Sequence, residues 1–205
     1  MAMRRTFTTF AVLAVCGAVH AGTVGLQNPG MPLDDPPAPV VDPLIPQWGR
    51  EGTWWLSVGA GVSNDFADAT DANFNGAATY FLTEDIEFTG ELGLWAYGQP
   101  GDDAIGLNPN VIIRWHFINR QTWSLYTDVG IGLVFTTNGV PEGGNSVNFT
   151  PRAGLGATFR LSEETGVRLQ VGLRWAHISN ARIEGDDDNG VRDAVMGYAG
   201  LVFPF

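Results

Sequence analysis

From Gly52 onward the chain alternates apolar and polar residues in stretches of about a dozen, separated by short polar connections. Alternation with a period of two marks a β-strand whose two faces meet different surroundings. Such strands are predicted at 53–63, 72–82, 86–97, 106–117, 122–136, 147–161, 166–180 and 192–205. In the third, Ile86, Phe88, Leu92 and Leu94 oppose Glu87, Thr89 and Glu91. In the fourth, Val111, Ile113, Trp115 and Phe117 oppose Asn110, Arg114 and His116. In the fifth, Leu125, Val129, Ile131, Leu133 and Phe135 oppose Ser124, Tyr126 and Asp128. The sixth sets Phe149, Ala153, Leu155 and Phe159 against Arg152 and Thr158. The polar faces together collect Glu87, Glu91, Arg114, Asp128, Arg152, Arg168 and Arg174. Both signs are present, so a paired network is expected.

Each segment has the length of a tilted strand crossing a bilayer. Eight is an even number, as an up-and-down closed barrel requires. Glycines inside the segments, among them Gly59, Gly61, Gly130, Gly132, Gly154 and Gly156, suit strands that bend tightly in a narrow barrel. The connections 83–85, 118–121 and 162–165 are short, whereas 64–71, 98–105, 137–146 and 181–191 are longer. Short periplasmic turns and longer outer loops are characteristic of outer-membrane barrels. That pattern puts both termini in the periplasm and the loop after Ser179 outside. A soluble β-sandwich would instead turn the charged faces to water and pack the apolar ones together. The loop asymmetry, the even count, an N-terminal export signal and the ending Leu201-Val202-Phe203-Pro204-Phe205 favour the membrane. The expected fold is all-β, an eight-stranded antiparallel up-and-down transmembrane β-barrel over 51–205.

The ends and the composition narrow the picture. Residues 1–21 read as a cleaved signal peptide, with Arg4 and Arg5 at its start, an apolar core from Thr9 to Ala18, and the small-x-small site Val19-His20-Ala21. Removing it subtracts two arginines from a net charge of −11 and leaves −13. So acidic a chain argues against nucleic acid as a partner. Leu13-Ala14-Val15-Cys16 resembles a lipoprotein cleavage box, but Val15 is too large for the position before the cysteine. Cys16 is the only cysteine, so the mature chain has no disulfide or thiol chemistry. No metal or other cofactor is expected. After residue 21 no stretch has the ~20 continuous apolar residues of a membrane helix, so a membrane span would have to be a barrel. Residues 22–50, with Asp35-Pro36-Pro37-Ala38-Pro39, read as a proline-rich N-terminal tail.

Candidate chemistry gathers at the end of the seventh segment, Arg174-Trp175-Ala176-His177-Ile178-Ser179-Asn180-Ala181. His177 and Ser179 share a face with Val167, Leu169, Val171, Leu173 and Trp175, while Arg168, Gln170, Gly172, Arg174 and Ala176 share the other. In a barrel the first face meets lipid. Residues two apart on a strand lie roughly 6–7 Å apart, close enough for an imidazole to take the proton of a serine hydroxyl. The far ring nitrogen needs an acceptor. In the last strand the parity of Leu201, Phe203 and Phe205 gives Asp193, whereas counting from Gly190 gives Arg192. An arginine accepts no hydrogen bond, so Asp193 is the better third member. Asn180, with the backbone amides after it, and Asn189 are candidates for stabilising an oxyanion.

The run His177-Ile178-Ser179-Asn180-Ala181 at the top of a penultimate strand resembles the lipid A deacylase (PagL) family. The wider likeness covers roughly 120–205, including Asn148-Phe149-Thr150-Pro151-Arg152-Ala153-Gly154-Leu155-Gly156. The resemblance implies an outer-membrane barrel esterase that hydrolyses an ester-linked acyl chain of lipid A in the outer leaflet. The family's third catalytic member is typically Glu, and here the matching position holds Asp193. Two rivals stand beside this reading: a non-enzymatic structural or adhesion-type barrel, and a phospholipase or acyltransferase using the same outward site. His116 has interior parity and reads as a satisfied core histidine, and His20 leaves with the signal. The acidic run Glu184 to Asp188 reads as a solvated loop or a divalent-cation contact to lipopolysaccharide phosphates. Trp54, Trp95, Trp115, Trp123 and Trp175 read as interface anchors or lipid-facing bulk.

Overall fold

The computed structural model describes residues 46–182 and 190–205. Nine strands follow in order: β1 (Trp54–Asn64), β2 (Thr70–Phe81), β3 (Ile86–Gly98), β4 (Ala104–Asn119), β5 (Trp123–Thr136), β6 (Val147–Phe149), β7 (Arg152–Arg160), β8 (Arg168–Ile178) and β9 (Arg192–Pro204). Every pairing is antiparallel and joins sequence neighbours, except that β5 pairs with β7 as well as β6 and β1 closes on β9. The result is a closed barrel, which has no free sheet edge to satisfy in lipid.

Nine strands make eight staves. β6 and β7 are one stave, interrupted at Thr150 and Pro151 with no change of register: β5 pairs Leu133 with Phe149 and Gly130 with Arg152. The cause is Pro151, which has no N–H to give the ladder. Its carbonyl still accepts from the His177 amide at 3.0 Å, and Phe149 still exchanges amide bonds with Ser179 at 2.8 and 3.2 Å. The sixth wall is therefore whole opposite the end of β8.

The strands run further than the alternation predicted on one side. β2 starts at Thr70 and β4 at Ala104, which leaves only 65–69 and 99–103 as connections. The seven-residue link 161–167 is tightened by the Leu161 amide donating to Val167 at 2.8 Å. Length contrast between the two ends is thus carried by 137–146 and 179–191.

Parity sorts the faces as expected. Outward stand Leu92, Leu94, Val111, Ile113, Trp115, Val129, Ile131, Leu155 and Leu173, all exposed. Inward lies an ionic chain. Arg114 pairs with Glu87 and, at 3.2 Å, with Asp128; Arg174 reaches Asp128 at 2.9 Å and Glu91 at 3.5 Å; Arg152 reaches Glu91 at 2.8 Å. Arg168 departs from the expected network. Among the described residues it meets no acid, but donates to Thr158 Oγ1 and the Gln121 carbonyl and lies 4.2 Å from the Trp48 ring. His116 is interior as expected, 3.0 Å from Ser124 Oγ through Nδ1 and 3.4 Å from Glu87 through Nε2. Trp95 corrects the expectation of a lipid-facing anchor: it is 6% exposed and stacks on Tyr97, because the odd positions of β3 face inward. At the other end Trp48, in the stretch expected as tail, packs with Trp55, Phe81 and Val202 to floor the barrel.

Candidate active site

β8 ends where the outward face of the barrel carries polar groups. The antiparallel register sets His177 directly opposite Asp193 on β9 and Trp175 opposite Val195. Directly opposed residues bring their Cβ atoms to about 4.5–5.5 Å, so an aspartate is long enough to reach the ring. His177 Nδ1 lies 2.9 Å from Asp193 Oδ1, and His177 Nε2 lies 3.1 Å from Ser179 Oγ. A carboxylate only accepts, so Nδ1 carries the hydrogen and Nε2 presents its lone pair to the serine hydroxyl. The three residues proposed from sequence are thus joined in one chain of hydrogen bonds. On the far side of β8, the outward neighbours of His177 and Ser179 are Pro151 and Phe149, which are uncharged.

Arg192 belongs elsewhere. It is buried, paired with Asp71, and 5.5 Å from the Tyr97 ring inside the barrel. The parity of Leu201, Phe203 and Phe205 therefore holds back to Asp193, and the count from Gly190 does not. Asn180 is also buried, on the opposite face from Ser179. Its Oδ1 accepts from the Arg182 amide at 2.7 Å, clasping a turn in which Ala181 and Arg182 take φ of 55° and 63°. Asn189 and the acidic run 184–188 lie outside the described residues.

One contributor was missed. Trp175 Nε1 donates to Asp193 Oδ1 at 2.8 Å, and its ring lies 5.5 Å from the His177 ring at an interplanar angle of 32°. Its place on the His177 face was legible. The direction of its indole N–H was not, because that depends on the β8–β9 register.

Residues 44–201 match the sequence profile described as Lipid A 3-O-deacylase (PagL). The chain belongs to this family. Comparison with curated protein sequences gives no significant match. Among solved structures, Neisserial surface protein A superposes with a TM-score of 0.56 at 16% identity, covering 74% of this chain and 97% of that one. The outer membrane enzyme PagL gives 0.52 at 19% identity, with 70% and 97% covered. The N-terminal β-barrel domain of Pseudomonas aeruginosa OprF gives 0.50 at 19%, with 76% and 100% covered. These three share the barrel fold, and membership of the PagL family places the chain in the bacterial outer membrane. The family profile covers β8 and β9 as far as Leu201, and so takes in the whole hydrogen-bonded chain described above.

Proposed function

We propose that the protein is an outer-membrane serine esterase that removes an ester-linked acyl chain from lipid A, at the 3-O position named in the family description. One observation carries the reading: on the lipid-facing side of β8, a single imidazole bridges a serine hydroxyl and a carboxylate. Ser179 Oγ attacks the ester carbonyl as His177 Nε2 takes its proton. Asp193 holds the ring in orientation and offsets the charge of the imidazolium. The tetrahedral intermediate collapses to an acyl-serine, and His177 returns the proton to the departing sugar oxygen. Water, deprotonated by the same nitrogen, then releases the fatty acid and restores Ser179. The turn clasped by Asn180 is assigned to holding backbone amides beside the developing oxyanion, and Asn189 is the second candidate for that task. Facing lipid at the end of the barrel that bears the longer loops, the site suits a substrate lying in the outer leaflet.

Mass spectrometry of lipid A tests the proposal. Cells expressing the protein should lose one ester-linked acyl chain, and cells expressing Ser179→Ala at the same level should keep it. Equal loss in both would remove Ser179 from the chemistry and the esterase reading with it.

A further inference from the structure

We infer that Trp175 is a positioning residue of this site, its indole N–H fixing Asp193 so that an aspartate can orient His177. The inference rests on the esterase reading. Asp193 is the shorter carboxylate, and more than half of its side chain is exposed beside lipid. A carboxylate so placed is free to rotate away from the ring unless a second donor holds it. Trp175 supplies that donor. Its Nε1 is 2.8 Å from the same Oδ1 that accepts from His177 at 2.9 Å. The two donors converge on one oxygen, so the carboxylate cannot turn without losing both. The contact is a diagonal cross-strand pair: Trp175 opposes Val195 and reaches two residues along β9 to Asp193. A tryptophan serving only as lipid-facing bulk would satisfy its N–H at the headgroups, not on the carboxylate that holds the histidine. Asp193 is the charged group facing His177 from β9. From the β6–β7 stave, Pro151 and Phe149 face it with none.

The test replaces Trp175 with Phe and, separately, with benzothienylalanine, which keeps the two-ring shape and lacks the N–H. Heat-modifiable gel migration checks the fold. Rates are measured on detergent-dispersed lipid A against pH, for the wild type, each Trp175 variant, Asp193→Asn, the combined variants and Ser179→Ala. Loss of one hydrogen bond to a charged group predicts a fall in kcat of about tenfold with little change in KM. The acid limb of the profile should move to lower pH, because a carboxylate free to turn away offsets less of the charge on the protonated ring. In the Asp193→Asn background the Trp175 replacements should add little. Wild-type kcat and an unmoved limb in the benzothienyl variant would overturn the inference, as would a full additional loss in the Asp193→Asn background. An active Ser179→Ala would instead overturn the esterase reading beneath it, so the two failures are distinguishable.

Discussion

In the proposed mechanism Ser179 attacks only while His177 can take its proton, so the two residues should fail together. Ser179→Ala and His177→Ala should each insert and fold, yet lose at least ~10³-fold in lipid A deacylation, with the double variant little worse than either. Asp193→Ala should cost less, because it removes orientation and charge compensation and leaves the base in place. Deacylation rates of purified variants check this, and additive losses in the double variant would show that the residues do not act as a unit. Arg192→Ala should behave in the opposite way. It would leave Asp71 buried without its cation, which lowers stability while sparing turnover. At this scale the sequence was most informative where parity decides: it set His177, Ser179 and Asp193 outward and the arginines of β8 inward. It could not resolve Asn180, whose role depends on an Asx turn and two residues with positive φ, or the indole contact to Asp193.

Strand β8 has to present a hydrogen-bonded site on one face and ionic bonds on the other. Arg174, three residues before His177, donates to Asp128 through two nitrogens, approaches Glu91, and lies 4.4 Å from the Tyr198 ring. Arg174→Ala would leave Asp128 with Arg114 and Glu91 with Arg152, each short of one cation inside the barrel. The expected loss lies below the ~3–5 kcal/mol of a buried charge left without any partner, read from urea unfolding in detergent. Activity lost at unchanged stability would place Arg174 in the site instead. Gly172 supports the same region. A Cβ there would collide with the Tyr198 hydroxyl, which is 2.7 Å from that of Tyr126. Gly172→Ala should therefore lower the unfolding midpoint while leaving the outward hydrogen bonds of His177 in place. The strands were legible because both faces are chemically distinct over their full length. Their ends were not: Thr70, Asp71 and Ala104 give weak alternation, and their pairing is fixed by neighbouring strands. Pro151 divides a ladder without shifting it, which composition cannot distinguish from a strand end.

Closure of the barrel and its orientation determine what the site can meet. An eight-stranded barrel has room inside for side chains and little more, and here that space holds the Glu87–Arg114–Asp128–Arg174–Glu91–Arg152 chain above a floor containing Trp48 and Trp55. Substrate must therefore reach Ser179 from the lipid side, and the leaflet it comes from depends on which end faces out. The site shares its end with connections 137–146 and 179–191, while the opposite end has the turns 82–85 and 120–122 and the C-terminal Phe205. Long polar loops are tolerated outside and short turns at the periplasm, so the 137–146 end should be extracellular. Epitope tags inserted at 137–146 should be labelled by antibody on intact cells, and tags at 82–85 only after the outer membrane is opened. The reverse pattern would aim Ser179 at the inner leaflet, where lipid A is not displayed, and would exclude it as the substrate even if the triad were active on simple esters.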